Sequence, residues 1–130
     1  MAIFDTLLPM LRAQFPVLGF AVEPGDPPRV IVPAANPEVG DVVFQDDGDE
    51  ITAFVGHFTY SHFSNYEDIS ADEKAKTISQ DVVHFLQELF ADRIVMWGSH
   101  RRMGGWQSVD SPSLLSVGRK KYVWSGPRNI

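Results

Sequence analysis

The sequence contains no cysteine. This absence excludes a disulfide scaffold, a cysteine nucleophile and a thiolate metal site. No apolar run approaches the roughly 18 residues that a membrane span needs. The first apolar stretch follows no basic residue and is interrupted by Asp5, Pro9 and Arg12, which argues against a signal peptide. We therefore expect a cytoplasmic protein without a membrane partner.

Length and composition indicate an ordinary globular chain. Hydrophobic residues make up 44% and charged residues 22% of the 130 positions, which is far from the composition of disordered or fibrous proteins. We find no linker, internal repeat or domain boundary. A chain of this size can bury one hydrophobic core without stabilisation by disulfides or metal ions. The sequence predicts a single domain covering residues 1–130.

Charge is divided unevenly along the chain. Residues 1–100 carry 5 basic and 16 acidic side chains, a balance of −11, whereas residues 101–130 carry 6 basic and 1 acidic, a balance of +5. Clustered charge of one sign steers association with partners of the opposite sign. The overall charge of −6 argues against a nucleic-acid partner. A basic tail that packs beside the acidic body, or against a neighbouring copy in a homo-oligomer, is the alternative to a separate protein partner.

Two helices are predicted. Apolar residues recur at helical spacing from Ile3 to Phe15, with Asp5 or Thr6 as the N-cap, Pro9 in the first turn and Pro16 as the stop. The second helix begins with the capping box Ser70-Ala71-Asp72-Glu73 and extends to about Ala91. One apolar stripe of this helix faces the sheet; its members are Ala75, Ile78, Val82, Phe85, Leu86 and Leu89.

The strand pattern predicts an α+β fold, with both helices packed on an antiparallel sheet of about five to six strands. Residues 56–69, 98–105 and 107–113 are expected to be irregular loops or turns. The predicted strands are Val17–Val22, Arg29–Val32, Val42–Gln45, Ile51–Val55, Arg93–Trp97, Leu114–Val117 and Lys121–Trp124. The pattern leaves open whether the last two join the main sheet.

The clearest local signal is the Asp47-Gly48 pair between two alternating segments, which is typical of a β-hairpin with a type I′ turn. The expected register places Phe44 opposite Ile51 and Val42 opposite Ala53 on the core face. A calcium loop is a poor match, because the flanking segments are strands and the ligand spacing is wrong.

The acidic residues of this hairpin are the first candidate partner site. We expect Asp46, Asp47, Asp49 and Glu50 to lie on an exposed turn and to attract a basic partner. In the alternative interpretation, the turn only connects the two strands and binds no partner.

A candidate ligand site follows the hairpin. His57, Tyr60, His62 and Tyr66 lie in an aromatic segment directly after a core strand, where a rigid sheet could support a pocket. Two histidines with a nearby carboxylate could also bind zinc, although their spacing matches no helical zinc pair. The alternative is a structural role, with aromatic side chains in the core and histidines at the solvent edge.

The basic end of the chain provides the second candidate partner site. Arg101, Arg102 and Trp106 combine residue types that are enriched in binding hot spots. Arg101 and Arg102, next to Gly104 and Gly105, could also bind an anion, but no phosphate-loop pattern is present. The other tryptophans, Trp97 and Trp124, are expected to be core or edge residues. His84 is expected to be a solvated ion-pair partner of Asp81 and Glu88 on the second helix.

No catalytic triad, nucleophile elbow or cofactor motif is found, so we expect no cofactor and favour a binding protein over an enzyme. The segment VGDVVFQDDGDEITAFVGHFTYSHF, followed by a capped helix ending FLQELFADRIVMW, resembles small bacterial α+β proteins. Some of these are similar to immunity proteins of polymorphic toxin systems. The resemblance covers about Val39 to Trp97 and implies a cytosolic, non-catalytic protein that binds another protein. The alternative is a small-ligand- or metal-binding domain, or an enzyme, that uses the His57–Tyr66 segment.

Overall fold

A computed structural model describes residues 3–99, 102–109 and 121–127. Within these ranges the chain forms two helices and nine strands. The helices are α1 (Phe4–Gln14) and α2 (Ala71–Phe90). The strands are β1 (Ala21–Glu23), β2 (Arg29–Val32), β3 (Val42–Asp46), β4 (Ile51–Val55), β5 (Thr59–Phe63), β6 (Ile94–Ser99), β7 (Arg102–Ser108), β8 (Lys121–Val123) and β9 (Gly126–Pro127).

The strands form two antiparallel sheets. Strands β1 to β5 form a meander in chain order, and the second sheet has the order β7-β6-β8-β9. The predicted α+β class, with an N-terminal helix and a long central helix, is confirmed. The main antiparallel sheet has five strands, within the predicted five to six, and the C-terminal strand β8 belongs to the second sheet. No helix in the described part of the chain has the length and apolar character that crossing a membrane requires.

The helices cover one face of the five-stranded sheet. Alternate side chains of β2, β3 and β4 point to this inner face, as the period of two along a strand requires. The inner-face residues are Val30, Val32, Val42, Phe44, Ile51, Ala53 and Val55, and all of them are fully buried. The predicted apolar stripe of α2 is buried in the same core, so this part of the prediction is confirmed.

The β3–β4 hairpin has a different register from the predicted one. Phe44 lies opposite Ala53 and Asp46 lies opposite Ile51, which leaves residues 47–50 as a four-residue loop. A type I′ turn needs a positive φ at both central residues, but only Gly48 has one, at 92°. The shift amounts to two residues, so Val42, Phe44, Ile51 and Ala53 keep their predicted core face.

Helix α1 begins earlier than predicted. Its N-cap is Ile3, which provides no side-chain hydrogen bond. Instead, a carboxylate oxygen of Asp46 accepts a hydrogen bond from the backbone N–H of Phe4, at 3.0 Å. The predicted caps, Asp5 and Thr6, therefore lie inside the helix, and Pro9 falls beyond its first turn.

Three further boundaries differ from the prediction. The segment 17–20 is not a strand, and β1 covers only Ala21–Glu23 with every side chain exposed. Residues 59–63, predicted to be irregular, form β5. The predicted loop at 98–105 is largely strand, because β6 continues to Ser99 and β7 starts at Arg102. The predicted strand Leu114–Val117 lies outside the described residues.

The second sheet is attached to the rest of the fold by aromatic and polar contacts. The ring of Tyr122 stacks on Phe58 with centroids 4.4 Å apart. Ser125 donates hydrogen bonds from its backbone N–H and its hydroxyl to the carboxylate of Asp92, directly after α2. Trp97 and Trp124 are buried, as predicted for core residues.

Two serines, one at the N-cap of α2 and one inside the helix, are expected to have opposite effects on stability. The hydroxyl of Ser70 accepts a hydrogen bond from the N–H of Glu73 at 3.2 Å and caps the helix. The hydroxyl of Ser79 is fully buried and has no hydrogen-bond partner. We expect Ser70→Ala to lower the free energy of unfolding by about 1 kcal/mol, the usual value of an N-cap. Ser79→Ala should raise it by about 0.5–1 kcal/mol, because an unpaired polar group leaves the core and alanine favours the helix.

Urea unfolding of the two single variants beside the parent chain measures both effects. Each change is serine to alanine in the same helix, so each variant serves as the control for the other. A Ser79→Ala variant less stable than the parent would show that this hydroxyl contributes a favourable interaction.

Candidate functional site

The outer face of the five-stranded sheet is the first candidate site. Cross-strand pairing aligns its side chains in two rows that cross all five strands. The apolar row is Ala21, Ile31, Val43, Phe54 and Tyr60, and the polar row is Glu23, Arg29, Gln45, Thr52 and His62. Because both helices pack on the inner face, the outer face is the side of this sheet that is available to another molecule.

The apolar row ends in two exposed aromatic side chains. Phe54 and Tyr60 lie directly opposite each other on β4 and β5, and they are 41% and 50% exposed. Val43, the next residue in the row, is half-buried. Single exposed apolar residues are common on protein surfaces, whereas contiguous exposed apolar patches mark interaction sites.

The polar row is connected by side-chain hydrogen bonds that converge on Asp47. One carboxylate oxygen accepts from Gln45 Nε2 at 2.8 Å, and the other accepts from Thr52 Oγ1 at 2.5 Å. His62 Nδ1 lies 3.2 Å from the same Thr52 oxygen. Since the single hydroxyl proton of Thr52 is directed to Asp47, Nδ1 of His62 must be the donor in this contact. In the neutral ring, Nε2 is then a hydrogen-bond acceptor.

These hydrogen bonds predict a pH effect at Asp47. Those from Thr52, and to a lesser degree from Gln45, hold the pKa of Asp47 below its ordinary value of 3.8. A carboxyl group with a lowered pKa in the folded state stabilises the fold above its unfolded pKa, and this contribution is lost as the pH falls through the folded pKa. We expect the stabilisation by Asp47 to be complete at neutral pH, to begin to fall near the unfolded pKa of about 3.9, and to be lost as the pH falls through the lower folded pKa.

A carboxyl-detected NMR titration of Asp47 measures this effect directly. In a Thr52→Val variant, which keeps the shape of the side chain but removes its hydroxyl donor, Asp47 should titrate at a higher pH than in the parent chain. Identical titration midpoints in the two proteins would contradict the role given to Thr52.

The acidic turn, defined here as Asp47, Asp49 and Glu50, lies at one end of the outer face. Asp47 and Asp49 are exposed and Glu50 is half-buried. Oε2 of Glu50 lies 3.6 Å from Nδ1 of His62, which connects the turn to the polar row. The fourth predicted member, Asp46, was wrongly placed on the surface, since it is only 4% exposed and caps α1. Because side chains alternate along β3, that of Asp46 points to the inner face, where it accepts a hydrogen bond from the N-terminus of α1.

A groove between β5, α2 and the second sheet is the second candidate site. This β5–α2 groove has a volume of about 450 Å³. Its lining residues are His62, Phe63, Ser64, Asp81, His84, Phe85, Glu88, Ile94, Trp106 and Ser108. The groove therefore joins His62 from one predicted site with Trp106 from another, and adds three polar residues of α2.

The predicted ligand residues are divided between several places. Of the four, only His62 lines the β5–α2 groove. Tyr60 lies beside it on the outer face, with ring centroids 5.6 Å apart. His57 lies in the turn after β4, where Nε2 is 3.2 Å from the carbonyl oxygen of Pro37, and Tyr66 is 90% exposed after β5.

The structure also shows where the candidate metal ligands and the residues of the predicted basic site lie. Within residues 3–99, 102–109 and 121–127, no three histidine, aspartate or glutamate side chains are arranged to hold a metal ion. Arg102 is the first residue of β7, and Arg101 lies outside the described residues. Trp106 is half-buried in the groove, with its ring centroid 5.1 Å from that of Phe85. Glu88, expected to pair with His84, forms an ion pair with Arg93 at 2.9 Å.

Sequence reasoning missed three residues of these sites: Thr52, Phe54 and Asp81. A signal for Phe54 was present, because Ile51, Ala53 and Val55 occupy the core positions of β4 and leave an aromatic residue pointing outward. No comparable signal exists for Asp81, since its importance depends on which face of the helix meets β5.

No family model matches the chain, and neither a curated protein nor a solved structure matches it.

Proposed function

We propose that this chain is a non-catalytic protein-binding module that docks a basic partner protein on its outer face. The observation that carries the proposal is the exposed Phe54–Tyr60 pair on the same sheet face as the polar row that leads to the acidic turn. Aromatic side chains supply much of the energy at protein interfaces, and surrounding polar groups supply orientation and specificity.

Charge favours a basic occupant. Residues 1–100 have a balance of −11, and three of their carboxylates, those of the acidic turn, lie at the edge of the docking surface. Such a field accelerates the approach of a positively charged protein and repels acidic ones. The polar row also has few degrees of freedom to lose on binding, because Asp47 already holds Gln45 and Thr52 in place.

The proposal agrees with the resemblance to immunity proteins of toxin systems. In this interpretation the chain acts in the bacterial cytoplasm, and a toxin with a basic surface is the class of partner that it neutralises. Neutralisation requires tight binding and no chemistry, which suits a surface of aromatic and acidic residues.

Site-specific photocrosslinking in the native host tests the docking surface. A photoreactive amino acid replaces Phe54 in one variant and Tyr66 in the control variant, since both side chains are exposed but Tyr66 lies beyond the outer face. We expect the Phe54 position to capture one basic protein and the Tyr66 position not to capture it. Capture of a second copy of this chain, of an acidic protein, or of nothing at Phe54 would overturn the proposal.

Binding kinetics with the captured protein, once purified, separate the two parts of the surface. Phe54→Ala and Tyr60→Ala should each weaken binding by about tenfold or more, mainly through faster dissociation. The triple variant Asp47→Asn, Asp49→Asn, Glu50→Gln should slow association and flatten its salt dependence. Tyr66→Ala is the control. An unchanged association rate in the triple variant would exclude the acidic turn from the interface.

A further inference from the structure

The β5–α2 groove has the size and lining of a small-molecule site. The proposed docking of a protein on the outer face does not explain these properties. We propose that it binds a small ligand with an apolar body and one positive charge, that is, a hydrophobic amine. The proposal goes beyond protein binding and is independent of it. It depends on the size of the groove, its aromatic floor and the charge of its rim.

The floor of the groove is a continuous aromatic surface. Phe85 of α2 contacts Phe63 of β5 and Trp106 of β7 edge-to-face, with centroid distances of 5.5 Å and 5.1 Å. Phe85 is buried, whereas Phe63 and Trp106 are only half-buried and keep part of their surfaces open to the groove. The volume of about 450 Å³ lies in the usual range for ligand pockets. An apolar ligand body placed here would gain contacts with aromatic rings.

The rim of the groove selects for a cation. Asp81, His84 and Glu88 follow one another at helical spacing on the face of α2 that lines the groove. Arg93 neutralises Glu88 through an ion pair at 2.9 Å. Asp81 is exposed and makes no ion pair with any described residue. Asp81 is thus the carboxylate available to a ligand ammonium group.

The histidine on the opposite wall reinforces this preference. Nδ1 of His62 donates to Thr52, so the neutral ring has only an acceptor, Nε2, left for a ligand. An ammonium group is rich in N–H donors and matches both an imidazole acceptor and a carboxylate. The π-face of the half-buried Trp106 also attracts cations over anions.

Three probes of similar shape and different charge test the proposal: phenethylamine, 2-phenylethanol and 3-phenylpropanoate. Binding to the full chain is measured at pH 7.5 by amide NMR shifts and by calorimetry. We expect phenethylamine to bind about tenfold more tightly than the alcohol, the effect of one charge-assisted hydrogen bond, and the carboxylate to bind least. The shifts should map to β5, α2 and β7.

Asp81→Asn is the decisive variant, because an exposed helix position tolerates this change without loss of the fold. It should reduce the affinity for phenethylamine to that for the alcohol, and Phe54→Ala should leave it unchanged. Equal binding of all three probes, no binding of any, or an Asp81→Asn variant with parental affinity would each overturn the proposal. Failure here leaves the crosslinking result at Phe54 unaffected, so the two proposals can fail separately.

Discussion

Replacing Asp46 by alanine should lower the free energy of unfolding by about 2–3 kcal/mol. The carboxylate of Asp46 accepts hydrogen bonds from Phe4 N–H at 3.0 Å and from Gly48 N–H at 2.9 Å. Removal of the carboxylate leaves the buried N–H of Phe4 without a partner and takes a negative charge away from the start of α1. Both losses destabilise the fold, because helix N-termini carry a partial positive charge.

Two variants separate these contributions in chemical denaturation. Asp46→Asn keeps an acceptor oxygen and removes the charge, so it should cost about 1 kcal/mol. Asp49→Ala removes an exposed carboxylate from the same turn and should change stability by no more than about 0.5 kcal/mol. If Asp46→Ala were as mild as Asp49→Ala, the contact with α1 would contribute little to stability.

Replacing Gly56 by alanine should cost about 3 kcal/mol or more. Gly56 has a φ of 59°, and a methyl carbon added there would overlap the backbone carbonyl oxygen of Val39. That carbonyl accepts the hydrogen bond of His57 N–H at 2.8 Å, while Gly56 N–H bonds to Asp41 O at 2.9 Å. Backbone atoms held in this way cannot move aside easily, so the β4–β5 connection must distort to accept a side chain.

A series of glycine variants distinguishes steric overlap from backbone conformation. Gly48→Ala also faces a positive φ, of 92°, but meets no atom within 4 Å, so it should cost only about 1 kcal/mol. Gly19 has no positive φ, and a methyl group added there would meet open space. Gly19→Ala should therefore leave the free energy of unfolding unchanged or raise it slightly. Thermal unfolding of the three variants should rank them in this order. Equal losses at Gly56 and Gly48 would show that the overlap is relieved at no cost.

Much of the fold could be predicted from local patterns. The capping box at Ser70 and the stripe from Ala75 to Leu89 identify α2, because cap chemistry and helical spacing are encoded within a few residues. The bounds of β4, Ile51–Val55, agree with those that the sequence predicts. By contrast, the sequence does not identify β5, because the inward positions Thr59 and Ser61 are polar and the outward position holds Tyr60, so hydrophobicity does not alternate along Thr59–Phe63.

The candidate sites were harder to predict, because they depend on contacts between distant segments. Asp46 looks like an exposed turn residue until the start of α1, 42 positions earlier, is placed beside it. Trp106 and His62 were assigned to separate sites, yet both line one groove, since α2 and the second sheet pack beside β5. Spacing along the chain contains no information on such contacts unless the register and the packing are known.

The hydrogen bond between Asp46 and Phe4 also leads us to expect an order of events during folding. Helix α1 has only 11 residues, contains Pro9 and has no cap of its own, and isolated helices of this length are marginal in water. The acceptor that completes its first turn belongs to β3, which the ribosome adds later. A peptide of residues 1–20 should therefore show little helical signal by circular dichroism. In the growing chain, we expect α1 to become stable only after the β3–β4 hairpin has formed.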